Sequence, residues 1–421
     1  MTAPAIRPRV HLTPEAGWLN DPHGLLFLDG AYHLFFQHVP DATDWRGDIH
    51  WGHATSTDLL HWESGPIALS PGDGDEGCWS GCAVIDDAGR PVLFYTSVGG
   101  PDPQLGRVRV ARLDESGSTW VKGDVMVEAA EPGTRVFRDP TVFRDGDGWR
   151  MVVGSGLKDG TACAQVFSSS DLDTWAYEGL LATRNARSQH PWTGSAWECP
   201  QVLRAAGGDG DDDGDVLVIS IWDEHGHHDV AAASGRYADG RFDDAQWRLL
   251  SAGQAHFAAS AFTDEEGRSC LFFWIRGITD PGRWAGAISV PYVVTTEGDD
   301  VRLTPHPAVV AARVEARGRL GSALDIEWTP GISGELTLVG ADGRGRAVLE
   351  VAHGRLRVTV SGGAAPVEVR HAGATLRLLV DAQVLEVVAD GGLVGLPLAD
   401  LDGGLEPRAD VPDSLSWWHL N

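Results

Sequence analysis

Lysine is nearly missing from this sequence of 421 residues: only Lys122 and Lys158 occur, and arginine supplies the rest of 33 basic side chains set against 60 acidic ones. The formal charge of −27 repels phosphate backbones and anionic lipid, which argues against nucleic acid or a membrane surface as partner. Long apolar runs are lacking too. The longest, Val216 to Trp222 and Cys270 to Ile275, fall far short of the roughly 18 residues that span a bilayer. Cysteine is scarce, with Cys78, Cys82, Cys163, Cys199 and Cys270 at irregular spacing and no Cys-x-x-Cys pair. An odd number in that pattern excludes a disulfide framework and a structural zinc site. The opening residues, MTAPAIRPRVHLTP, hold no apolar targeting segment, so a cytoplasmic location is the expectation.

What is plentiful is punctuation. Gly at 53 and Pro at 23 suit many short strands joined by turns. The length exceeds the roughly 250–300 residues at which one hydrophobic core stops growing, so two domains are expected. A unit recurs through the first three quarters of the chain: a polar residue, a short apolar strand, an Asp/Gly turn, and a second apolar strand. It begins at Asp21, Ser80, Asp139 and Glu198, and passes through Phe257, and each step is 59 residues. The turns are Asp29-Gly30, DDAG from Asp86, DGDG from Asp145, a long acidic loop in the fourth unit, and DEEG from Asp264. Strand pairs joined this way are hairpins, and each unit has room for two further strands. The phrases STDLLHW (Ser56 to Trp62) and SSDLDTW (Ser169 to Trp175) bridge those strands in the first and third units. Five equal four-stranded repeats predict an all-β architecture, a five-bladed β-propeller over residues 1–310 that protects its sheet edges by radial closure.

After Val310 the texture changes. AARVEARGRL (Ala311 to Leu320) reads as a short helix or a linker, and about seven alternating strands follow, from LDIEW to VLEVV. Short strands with turns every eight to twelve residues predict a C-terminal β-sandwich over residues 311–421.

In a propeller, positions of equal phase converge at the mouth of the central channel. Three of the five are carboxylates: Asp21, Asp139 and Glu198. Asp21-Pro22 and Asp139-Pro140 are also ordinary turn openings, and each alone reads as turn chemistry. Glu198, set between Trp197 and Cys199, is in a setting where an unpaired carboxylate is costly, and it reads as functional by itself. Shared phase groups all three. Acids forced into one pocket repel, which raises one pKa while another stays low, and that asymmetry serves a general acid beside a nucleophile. Tryptophan is the second clue, at 17 against 5 Tyr and 12 Phe. Trp18, Trp45, Trp51, Trp79, Trp192, Trp197 and Trp274 fall near the inferred channel ends, where indole faces can pack on sugar C–H faces. Others, such as Trp62 and Trp175, read as packing between blades.

The same residues resemble a known family. WLNDPHG (Trp18 to Gly24), FFQ (Phe35 to Gln37), WRGDIHWGHATSTDLLHW (Trp45 to Trp62), WSGCAV (Trp79 to Val84), FRDP (Phe137 to Pro140) and WECP (Trp197 to Pro200) are similar to motifs of glycoside hydrolase family 32. WAGAISVP (Trp284 to Pro291) and LRLLVDAQVLEVVADGG (Leu376 to Gly392) extend the likeness, which runs in order from about Pro8 to Asp402. The resemblance implies an invertase, levanase, inulinase or related fructosyltransferase. It implies that Asp21 is the nucleophile on C2 of a β-fructofuranosyl group. Glu198 becomes the acid and then the base, and Asp139 the stabiliser that binds fructose hydroxyls. By the same likeness Asn20, Gln37, Trp45, Trp79, Ser80, Arg138 and Trp274 hold the terminal fructose. Arg138, beside Asp139, is expected to hold Asp139 ionised.

The chain departs from the family pattern at Leu19, His23, Trp79, Ala255 to Ser260 and Tyr292, none of which removes a catalytic carboxylate. HGHHD (His225 to Asp229) reads as a solvated loop rather than a metal cluster. DGDDDGD (Asp209 to Asp215) starts like a calcium loop but has Ser220 at position twelve, so it reads as an acidic hairpin loop. Cys199 reads as a neighbour that tunes the acid, and Trp417-Trp418 as domain or subunit packing.

The resulting expectation is a cofactor-free, metal-free, retaining β-fructofuranosidase acting on sucrose or short fructans, with a small sugar as its partner and an open oligomeric state. A fructosyltransferase on the same site is the first alternative. An inverting propeller enzyme acting on arabinose or xylose polymers and a non-catalytic sugar-binding propeller are the others.

Overall fold

A computed structural model describes residues 6–185, 190–204, 206–207, 214–316, 320–399 and 403–421. Among these the structure is almost wholly β: one α-helix, Pro307–Ala311, and one 3₁₀ turn, Pro412–Ser414, are its helical elements. The five hairpins stand where the repeat places them. Their first strands are Gly17–Leu28, Gly77–Ile85, Thr134–Asp145, Ala196–Arg204 and His256–Thr263. The second, third and fourth units are separate antiparallel sheets of four consecutive strands, apart from a two-residue strand inserted in the fourth.

The five first strands touch one another in ring order, each its neighbour and the fifth the first. Apolar side chains of adjacent units fill the wedges between sheets, for example Phe94, Phe137, Met151 and Phe167 between the second and third. Hydrogen bonds carry the repeat length across these seams. Ser80 Oγ donates to Asp21 Oδ2 at 2.7 Å, 59 residues away, and Arg138 Nε to Glu198 Oε1 at 2.8 Å, 60 residues away. Gln201 Nε2 reaches Thr141 Oγ1 at 3.0 Å, and Ala261 N reaches Gln201 Oε1 at 3.2 Å, again 60 apart. The two bridging phrases fold alike: Ser56 and Ser169 accept from the amides of Leu59 and Leu172, both held at positive φ.

The fifth unit differs from a plain four-stranded repeat. Its third strand is split into Trp284–Ile288 and Tyr292–Glu297, and the first piece also pairs in parallel with Gly17–Leu28. The fifth and first units thereby share one ten-stranded sheet that closes the ring.

Beyond the helix the chain forms a five-stranded sheet and six strands of a seven-stranded one, whose seventh, Ser251–Ala252, comes from the fifth-unit side of the chain and pairs in parallel with Gly392–Pro397. Leu324, Ile326, Leu378 and Leu385 of one pack on Leu336, Leu349, Leu356 and Val358 of the other. The seven strands anticipated from the sequence are present, joined by Gly392–Pro397, Leu405–Ala409 and Leu415–Leu420. Trp417 and Trp418 belong to the last of these: Trp417 packs on the apolar core and Trp418 stacks under Arg313 at 3.7 Å. The acidic run from Asp209 lies outside the described residues except for Gly214 and Asp215, as do residues 317–319 of the Ala311 to Leu320 segment.

Candidate active site

Each of the five first strands is bulged at the recurring position. Register slips between Leu19 and Pro22, Trp79 and Gly81, Arg138 and Pro140, Glu198 and Gln201, and Phe257 and Ser260. Asp139, Cys199 and Ala258 sit there at φ of 64°, 47° and 50°, a region that non-glycine residues enter only at a cost of roughly 1–3 kcal/mol. A bulge turns a strand and re-aims a side chain. Here bulges at one phase bring residues from different units to one cavity of about 330 Å³.

Asp21, Asp139 and Glu198 all line that cavity, together with Asn20, Gln37, Trp45, Trp79, Arg138 and Trp274. Asp21 is held in a closed circuit: Asn20 Nδ2 donates to Asp21 Oδ1 at 2.9 Å and to Gln37 Oε1 at 2.7 Å, Gln37 Nε2 donates to Ser80 Oγ, and Ser80 donates to Asp21 Oδ2. Trp18 Nε1 fixes Asn20 in turn, at 2.8 Å. Both oxygens of Asp21 are therefore oriented. Ser80 lies buried beneath Asp21 and does not line the cavity. Trp274 lines it too, with its indole N–H buried and without a protein partner.

Arg138 is not paired with Asp139 as expected. Its guanidinium grips Glu198 Oε1, with Nε at 2.8 Å and Nη2 at 2.6 Å, while Nη1 bonds Gln104 Oε1. Burial, with the charge of Glu198, pushes Asp139 up to about 8 against the opposing pull of Arg138. Burial also raises Asp21, and the Ser80 and Asn20 hydrogen bonds work the other way. Cys199, next to Glu198 in the chain, also touches Asp139 (Sγ at 3.7 Å, amide at 3.1 Å) and Asp21 (3.9 Å), so it neighbours all three carboxylates. Burial raises its thiol far out of the range of a nucleophile.

Residues 11–307 match the N-terminal domain of the glycosyl hydrolases family 32. The chain belongs to this family. It is similar to a sucrose-6-phosphate hydrolase of Zymomonas mobilis, 32% identical over 323 residues that cover 71% of this chain and 61% of the relative. It is also similar to a raffinose invertase of Escherichia coli, 36% identical over 203 residues covering 47% and 41%. The matched region thus spans about three fifths of the sucrose-6-phosphate hydrolases' own length. Among solved structures a Bombyx mori β-fructofuranosidase superimposes with TM-score 0.83 at 23% identity, covering 99% of this chain and 94% of that one, a likeness of fold.

Within this family-32 frame the tryptophans divide. Trp18, Trp45, Trp79 and Trp274 reach the pocket, whereas Trp51 and Trp197 are fully buried and Trp192 packs on His228. Gln104, Trp222 and His227 line the site without having been singled out for it. His227 belongs to HGHHD, whose reading as a solvated loop is corrected in part: its ring lies 3.7 Å from Glu198 Oε2. A signal existed. An antiparallel hairpin brings the end of its second strand back to the start of its first, so every turn after a second strand shares the end that carries the carboxylates.

Proposed function

We propose that the ring of five units is a five-bladed β-propeller over residues 1–310, that residues 311–421 form a β-sandwich domain, and that the propeller releases terminal β-D-fructofuranosyl groups from sucrose or short fructans with retention. The observation that carries the reading is the convergence of Asp21, Asp139 and Glu198 in one tryptophan-walled cavity. The names of the relatives, sucrose-6-phosphate hydrolase and raffinose invertase, support a fructoside as substrate.

In this reading Asp21 attacks C2 and the C2–O bond to the leaving sugar breaks. Glu198 gives its proton to that oxygen, leaving a fructosyl ester on Asp21. Arg138 occupies Oε1 of Glu198, so Oε2 is the oxygen that delivers the proton. Water then enters, Glu198 takes its proton, the new oxygen bonds to C2, and Asp21 leaves as carboxylate. Asp139, whose carboxyl burial pushes up, lies in the same cavity and hydrogen-bonds fructose hydroxyls. Gln37, Trp45 and Trp79, which line the same cavity, supply further contacts to the ring. Asp21→Asn and Glu198→Gln are each expected to lower fructose release from sucrose by about 10³-fold or more while the folded state persists. Near-normal turnover in both variants would overturn the proposal.

A further inference from the structure

We infer that His227, with Trp222, forms the wall of the pocket that receives the leaving group, and that this group is an uncharged sugar. The inference rests on the fructosidase reading above and names its substrate class.

Strands Asp215–Asp223 and Gly226–Ala238 make a tight hairpin in which Trp222 stands directly opposite His227. Opposed residues of an antiparallel pair project to the same face, and both line the cavity. Trp222 lies 5.0 Å from the Arg138 guanidinium that grips Glu198, and His227 stands beside Glu198 itself. His227 Nε2 is 3.7 Å from Glu198 Oε2, too far for a hydrogen bond between them. A sugar hydroxyl placed next to the oxygen being protonated is within reach of the imidazole, whose side chain is 46% exposed and open to such a contact.

The hairpin tip is built to hold this position. Arg276 donates to the carbonyls of His227, at 3.2 Å, and His228, at 2.5 Å. His228 bonds Asp223 at 2.9 Å, and the His227 ring stands edge-on to Phe257, 4.9 Å between centroids. The same contacts consume the neighbouring cations. Arg276 is committed to carbonyls, Arg135 to Glu224 at 3.3 Å and to Ser195, and Arg138 to Glu198 and Gln104. Among the described residues of this wall Arg135 and Arg138 are paired with carboxylates, Arg276 is spent on two carbonyls of the hairpin tip, and Asp223 and Glu224 add negative charge at the rim. An imidazole that donates to or accepts from hydroxyls suits a neutral sugar.

The test compares wild type, His227→Ala and His227→Gln on sucrose, methyl β-D-fructofuranoside and sucrose phosphorylated on the glucosyl C6. Methanol is too small to reach His227, so the alanine variant should lose kcat/KM on sucrose about tenfold more than on the methyl fructoside, the size of one lost hydrogen bond. Glutamine, which keeps a donor and an acceptor, should recover part of the loss, and wild type should prefer sucrose to its phosphate. Equal losses on sucrose and methyl fructoside, or no loss on either, would overturn the role of His227. A wild-type preference for the phosphate would overturn the uncharged leaving group. Failure of wild type to cleave any of the three would instead overturn the fructosidase reading itself.

Discussion

Asp139 is the residue at which chemistry and stability pull apart. It is buried at a left-handed φ, accepts from the Cys199 amide, and shares its pocket with two other carboxylates and one guanidinium. Its pKa of about 8 lies above the unfolded value, so its contribution to stability is complete below about pH 4 and is lost progressively as pH rises to 8. Asp139→Asn removes the buried charge, and its melting temperature should exceed that of wild type by roughly 1–2 °C at pH 9. The excess should shrink as pH falls and vanish only near pH 4, and fructose release should fall by orders of magnitude. Calorimetry at the two pH values checks it, and a variant less stable than wild type at pH 9 would contradict it. The identities of these acids were legible because each sits at the repeat phase. That Arg138 would choose Glu198 over its chain neighbour Asp139 was not, because adjacent residues on a bulged strand point different ways.

At the scale of elements, the closing strand Trp284–Ile288 packs tightly against the strand that bears Asp21. Gly286 lies at φ +91°, and a Cβ there would come within 1.8 Å of the Leu19 carbonyl oxygen, two residues before Asp21. Gly286→Ala should therefore cost roughly 2–4 kcal/mol and lower activity. Gly30→Ala has a similar φ of +82° with nothing nearby, and should cost about 1 kcal/mol with activity kept. Denaturant midpoints with initial rates measure both effects. The hairpins were readable from Asp/Gly turns and apolar alternation. The split third strand of the fifth unit was not, since parallel pairing between Gly17 and Trp284 joins segments more than 250 residues apart.

Across the whole molecule, a buried ionic cluster ties the two regions together. The amides of Arg9, Val10 and His11 donate to Asp381, and His11 bridges Asp381 at 3.0 Å and Glu386 at 2.7 Å. His256 meets the other Glu386 oxygen at 2.8 Å. Burial pulls His11 down, but hydrogen bonds and charges from Asp381 and Glu386 outweigh it and raise it to about 9. Glu386, opposed by burial, is held down to about 2 by His11 and His256. The His11 contribution is complete below about pH 6.5 and is lost as pH rises through 9, whereas that of Glu386 is complete above about 4.5. Thermal stability should thus decline between pH 6.5 and 9, and His11→Gln should flatten that decline while lowering stability at pH 6. Melting curves across that range test it, and an unchanged slope in the variant would overturn this account of the ionic cluster.

Local pattern alone set the strand order, the repeat length of 59 and the phase of Asp21, Asp139 and Glu198, because turn chemistry and apolar alternation act over a few residues and a repeat copies them faithfully. Only the closed ring decided the rest: which cation serves which acid, which tryptophans face solvent or core, and that His227 leaves the category of surface loop to stand beside Glu198. Those outcomes depend on side chains from different units meeting at a shared axis, where burial and charge are properties of the assembly and have no trace in any one segment.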